Sequence, residues 1–206
     1  MIEQTVQIII AGIAFGLFAY AGSLIARVFY ADLPVLADGP TPHAPPIRTV
    51  VAVCAILGAF CAARNVPPPS LAIIAMVCAV MTAIWCTDMT HGIVPDALTL
   101  IPLGAVVLAS MMTGHWFAVV AAIVPALPFA FLAWRTKGLG MGWGDVKLAA
   151  LGGALVGMQD AMLVFAIAGV VAVIVTKLRG RAKRPLAFAP YLAAAIVVPL
   201  VIHTAL

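Results

Sequence analysis

Three of the seven acidic residues in this 206-residue chain, Asp88, Asp96 and Asp145, stand where apolar stretches break. Asp88 closes the run A-I-I-A-M-V-C-A-V-M-T-A-I-W-C-T and opens the patch D-M-T-H-G-I-V-P-D-A-L-T. Asp145 ends the glycine stretch G-L-G-M-G-W-G-D and begins V-K-L-A-A-L-G-G-A-L-V-G. Ionisable groups at the edge of hydrocarbon are costly, so each of these is read first as functional. Taken singly, Asp145 suits a helix N-cap and Asp88 an interfacial polar position. Taken together, on one side and each at a helix end beside a turn, they read as a paired acidic site. Two carboxylates sharing a site do not readily both ionise, so such a pair carries a proton between them, as acid–base chemistry requires. The same pair would also serve a small transporter or channel, relaying protons or binding a cation. Gly142 and Gly144 would let backbone and substrate approach Asp145 without a Cβ between them. Lys147, two residues past Asp145, falls on another helix face, where a structural or substrate-orienting role is open to it and direct pairing with Asp145 is not expected. His91 follows Asp88 by three residues and is not read as a ligand or base. His43, His115 and His203 are scattered without metal-ligand spacing, and neither a metal nor a cofactor is expected.

The elements that must position these groups follow from composition. The chain is 65% apolar and 9% charged, with 11 basic and 7 acidic residues and a mean hydropathy of +1.20. Soluble domains are nearer one-quarter charged. That excludes a soluble enzyme, a disordered regulator, a secreted disulfide scaffold and a conventional nucleic-acid binder. Apolar runs cover about 5–29, 49–63, 70–86, 97–112, 116–134, a shorter stretch reaching Gly157, 161–177 and 186–205. Backbone in lipid must satisfy itself within the segment, which makes these runs helices. The expectation is an all-α polytopic membrane protein of about eight spans, a single integral-membrane domain over 1–206. The start M-I-E-Q-T-V lacks a basic n-region, so the first run reads as a retained span rather than a signal peptide.

With the N-terminus outside, the loops at 30–48, 87–96, 135–147 and 177–185 lie in the cytoplasm. Ten of the eleven basic residues then face that side, Arg64 alone the other. This is the positive-inside asymmetry, and it accounts for the net charge of +4 without nucleic acid. Glu3 and Asp160 fall in outside loops and Asp32 and Asp38 in the first inside loop, all four read as solvated. Trp85, Trp116, Trp134 and Trp143 fall near span ends, as interfacial anchors do. Cys54, Cys61, Cys78 and Cys86 lie inside apolar runs without a C-x-x-C pair and read as small apolar packing residues.

The pattern D-x6-P-D-x-L-T from Asp88 to Thr99, followed by G-x-G-D-x-K-L from Gly142 to Leu148, resembles the type IV prepilin peptidases, aspartic peptidases of the GxGD class. The segment P-L-A-F-A-P-Y-L at 185–192 is similar to an element near that family's C-terminus, and Gly22-Ser23 to its first helix. Larger family members insert a cytoplasmic domain with paired C-x-x-C motifs and also N-methylate the product. The short loop at 30–48 matches the compact form that keeps the peptidase core, so methyl transfer is not expected. The resemblance implies peptide hydrolysis by an aspartate dyad, Asp88 and Asp145, with Asp96 structural and with Gly142, Gly144 and Lys147 toward the substrate. It implies a prepilin or pseudopilin substrate: a short basic leader, a glycine before the scissile bond, then an apolar helix. It also implies a bacterial inner membrane, with the site facing the cytoplasm. A transporter site would sit near the bilayer midplane, whereas both aspartates are expected at its edge.

Overall fold

The computed structural model describes residues 2–30, 47–138, 141–178 and 188–205. Asp32, Asp38, His43, Leu139, Gly140, Arg179, Arg181, Lys183, Arg184 and residues 185–187 lie outside the described residues. Eight helices and no strand are present among those described: α1 (Ile2–Phe29), α2 (Ile47–Ala63), α3 (Pro68–His91), α4 (Asp96–Met112), α5 (Phe117–Arg135), α6 (Trp143–Val156), α7 (Met158–Leu178) and α8 (Ala189–Ala205). Each corresponds to one expected run. Helices α1, α3, α5 and α7 are long and apolar enough to cross a bilayer, while α2, α4 and α8 are shorter apolar helices. At 14 residues, α6 reaches only ~21 Å, short of a hydrocarbon core of about 30 Å.

The packing is that of a protein whose outer solvent is apolar. Ile9, Ile13, Leu17, Ile101, Leu108, Leu163 and Ile174 point outward, an exposure that water would not tolerate over so much area. The interior holds Phe15, Ile74, Ile84, Leu148, Leu151, Leu192 and Ile196 together with the polar Asp88, His91, Thr87, Thr99 and Asp145. Helix α1 packs on α2 and α3, and α6 on α4 and α5, while α8 touches α3, α6 and α7 and joins the two groups. Lipid gives no hydrophobic drive between helices, so tight contact depends on small residues. A Cβ built on Gly153 would overlap the Ala121 carbonyl oxygen of α5, and one on Gly22 would overlap the Ala79 carbonyl oxygen of α3.

Three boundaries differ from expectation. Helix α3 continues five residues past the expected end at 86, because Thr87 and Thr90 turn their hydroxyls back to carbonyls three and four residues earlier and cost the helix no unpaired polar group. It ends at Gly92, in the left-handed conformation at φ 64°, whose N–H closes on the Asp88 carbonyl at 2.9 Å. Trp85 therefore lies two turns inside the helix rather than at its end, with its indole Nε1 buried, whereas Trp116, Trp134 and Trp143 are exposed. Glu3 and Asp160 lie in the first turns of α1 and α7 rather than in loops, since α6 and α7 are separated by Gly157 alone.

Candidate active site

Asp88 occupies the last turn of α3 and Asp145 the first turn of α6. Both are buried, at 7% and 9% exposure. Gly142 is the N-cap of α6, so Asp145 is its third residue and not the cap that the sequence suggested. From there its carboxylate lies beside the Gly142 backbone N–H, the position that the third residue takes in a capping box. The two carboxylates lie within electrostatic reach of each other. Yet no Cα of α3 comes within 8 Å of one in α6, among the described residues. The two acidic groups thus come within electrostatic reach although their helices do not pack on each other, and both helices rest on α8.

Helix α8 does more than support them. Its first residue, Ala189, presents its backbone N–H to the Asp88 carboxylate. The first N–H groups of a helix lack intrahelical partners and favour a negative neighbour. Asp88 Oδ2 remains buried without a hydrogen-bond partner among the described residues. Ala189 was not among the expected site residues. Its only signal was the P-L-A-F-A-P-Y-L element, since a backbone donor has no side-chain type to announce it.

The spacing of the two carboxylates is fixed at one end by the turn between α3 and α4. Gly144 lies against that turn: a Cβ there would stand 2.7 Å from the Val94 Cβ. Beside it, Lys147 Nζ pairs with Asp96 Oδ1, tying the first turn of α4 to α6. Of the residues expected near a substrate, Gly144 and Lys147 thus touch the protein's own turn, while Gly142 stands beside Asp145, its Cβ position 3.6 Å from Oδ2. Five residues separate Asp88 from Val94 in sequence, so holding the turn also holds Asp88. Partly exposed ion pairs contribute little to stability, and this one is expected to act on position instead. We expect Lys147→Met and Asp96→Asn each to lower the turnover of the native activity several-fold, and the double variant to be no worse than either single one. Additive losses in that double-mutant cycle would show that the two side chains act separately.

Among the described residues, no group of three His, Cys, Asp or Glu side chains converges as a metal site. The four cysteines are free thiols, three of them buried.

A family model described as the type IV leader peptidase family matches residues 74–177, a stretch that contains Asp88, Asp96, Gly142, Gly144, Asp145 and Lys147. The chain is 35% identical over 130 residues to a prepilin leader peptidase/N-methyltransferase of Burkholderia pseudomallei strain 1026b, covering 57% of this chain and 42% of the relative. The same figures hold for the protein of that name from strain K96243. The chain spans less than half the length of the curated relatives it matches. No solved structure matches it.

Proposed function

The chain belongs to the type IV leader peptidase family, and from that premise we propose that it is an aspartic endopeptidase of the membrane, with Asp88 and Asp145 as its catalytic pair. The observation that supports this most is that two buried carboxylates, one from the end of α3 and one from the start of α6, come within electrostatic reach although those helices do not pack on each other.

In this reading the pair holds one proton between its two carboxylates. The ionised member takes a proton from a water molecule placed between them, and the protonated member polarises the scissile carbonyl. Attack forms a C–O bond and yields a tetrahedral intermediate. Its collapse breaks the C–N bond, the amine leaves with a proton from the pair, and the product acid and amine carry the elements of water. The Ala189 N–H holds one carboxylate in place through the cycle. General acid–base help of this kind is worth about 10²–10⁴-fold in rate.

The proposed substrate is a prepilin or pseudopilin cut after a glycine, its basic leader on the cytoplasmic side and its apolar helix in the bacterial inner membrane. The basic residues near the acidic end of the bundle, Arg27, Arg48, Arg135, Lys137 and Lys147 among them, support that orientation by the positive-inside rule. None of the four cysteines forms a C-x-x-C pair, so the proposal is confined to hydrolysis.

The test is to incubate the purified protein in detergent or liposomes with candidate prepilins and sequence the new N-terminus by mass spectrometry. A single cut after glycine, with an unmethylated amine, is the expected product. Intact prepilin throughout, or a cut elsewhere, would overturn the reading.

A further inference from the structure

Three side-chain atoms are buried without a hydrogen-bond partner among the described residues: Trp85 Nε1, Asp88 Oδ2 and His91 Nδ1. They lie at i, i+3 and i+6 of one helix, so they form a single row at the end of α3. His91 is 8% exposed and Asp88 7%. Buried polar atoms are nearly always paired, and leaving one unpaired is costly. Three in one row, with Asp88 at its centre, mark a place built to be completed by something else.

The spacing suggests what completes it. Residues three apart on a helix stand about 5–6 Å from each other, so the row is ~11 Å long. An extended peptide advances ~3.4 Å per residue, so three residues match the row. A peptide that is to be cut cannot stay helical at the scissile bond, because its amides are then tied up in the helix's own ladder. Once unwound, it exposes N–H and C=O groups that need partners, and in a dry site those partners must come from protein.

We propose that Trp85 and His91 are binding residues for the substrate backbone on the two sides of the scissile bond. Asp88 stands at the bond. Trp85, one turn deeper in α3, donates its indole N–H to a carbonyl on the apolar side. His91, one turn nearer the helix end, pairs through Nδ1 with a peptide group on the leader side. The ligand class is an extended, unwound peptide of about three residues, recognised by its backbone and not by its side chains. This inference rests on the peptidase reading above.

The test uses the full chain and a synthetic peptide spanning a prepilin leader junction. Trp85→Phe keeps the ring and removes the N–H; His91→Phe keeps a ring and removes the nitrogen. Each is expected to raise KM about tenfold and to change kcat less than threefold. His91→Asn, which returns a polar atom near the Nδ1 position, is expected to bring KM back to within threefold of the native value. A backbone N-methyl scan of the peptide on the leader side should find one position at which His91→Phe no longer adds to KM. If the native protein cleaves the peptide and both variants keep the native KM, the inference is overturned while the peptidase reading stands. Equal KM losses in His91→Phe and His91→Asn, uncoupled to any methylated position, would reduce the row to packing and overturn it too. If the native protein cleaves no prepilin, the peptidase reading fails first and takes the inference with it.

Discussion

Asp88→Asn and Asp145→Asn are each expected to slow prepilin cleavage by at least 10²–10⁴-fold while leaving the protein folded. Asparagine keeps the size and planarity of the carboxyl group but cannot carry the shared proton. The Ala189 N–H can still find an amide oxygen at position 88, and the Gly142 N–H one at position 145. On the proposed mechanism the substitutions remove the chemistry and keep an oxygen for each backbone N–H. If the two groups work as a unit, as proposed, the double variant is no slower than the slower single one. Cleavage within tenfold of native in either variant would take that residue out of the catalytic pair. Thermal unfolding in detergent, unchanged across the set, is the companion measurement.

The second large effect is expected from Gly153→Val. In the native packing a Cβ at this position already overlaps the Ala121 carbonyl oxygen, which belongs to the α5 backbone and cannot rotate aside. Helix α6 must then move away from α5. Overpacking of this sort costs about 1–3 kcal/mol, sometimes more. The displacement is carried along a short, stiff helix to Asp145, eight residues away. A misplacement of about 1 Å can cost on the order of 10²-fold in rate. We therefore expect a lower unfolding temperature together with a large loss of cleavage. Gly169→Ala is the control, since a Cβ at that site of α7 meets nothing within 4 Å. Native stability and native cleavage in Gly153→Val would show that α6 is not positioned through this crossing.

The helices were legible because apolar runs and breakers are local signals. Pro67, Gly92, Pro95, Gly114 and Gly157 stand at or beside the ends the structure shows. The end of α3 was misjudged because Thr87 and Thr90 count as polar in a window, although in a helix their hydroxyls are satisfied by the preceding turn. Asp88 and Asp145 stand out in the sequence because a carboxylate at the edge of an apolar run is rare, and the structure buries both. The Lys147–Asp96 pair could not: its partners are 51 residues apart and no periodicity links them. Sequence reading rightly kept Lys147 off Asp145 by helix face, but only the fold shows which acid it meets. The same holds for Trp85 and His91. A tryptophan and a histidine flanking an aspartate at helical spacing become informative once burial shows that none of the three polar atoms has a partner among the described residues.

The turn from Gly92 to Asp96 also bears on how the protein meets bilayers of different thickness. Val94 and Asp96 hold the start of α6 at the acidic end of the bundle, through Gly144 and Lys147. Further along, Gly153 seats the same helix against the Ala121 carbonyl of α5. Helix α6 is short, and a helix shorter than the hydrocarbon is accommodated by thinning of the lipid, since tilt would shorten its span further. A thicker membrane therefore raises the cost of thinning beside α6 and leaves the helix seated between the turn and α5.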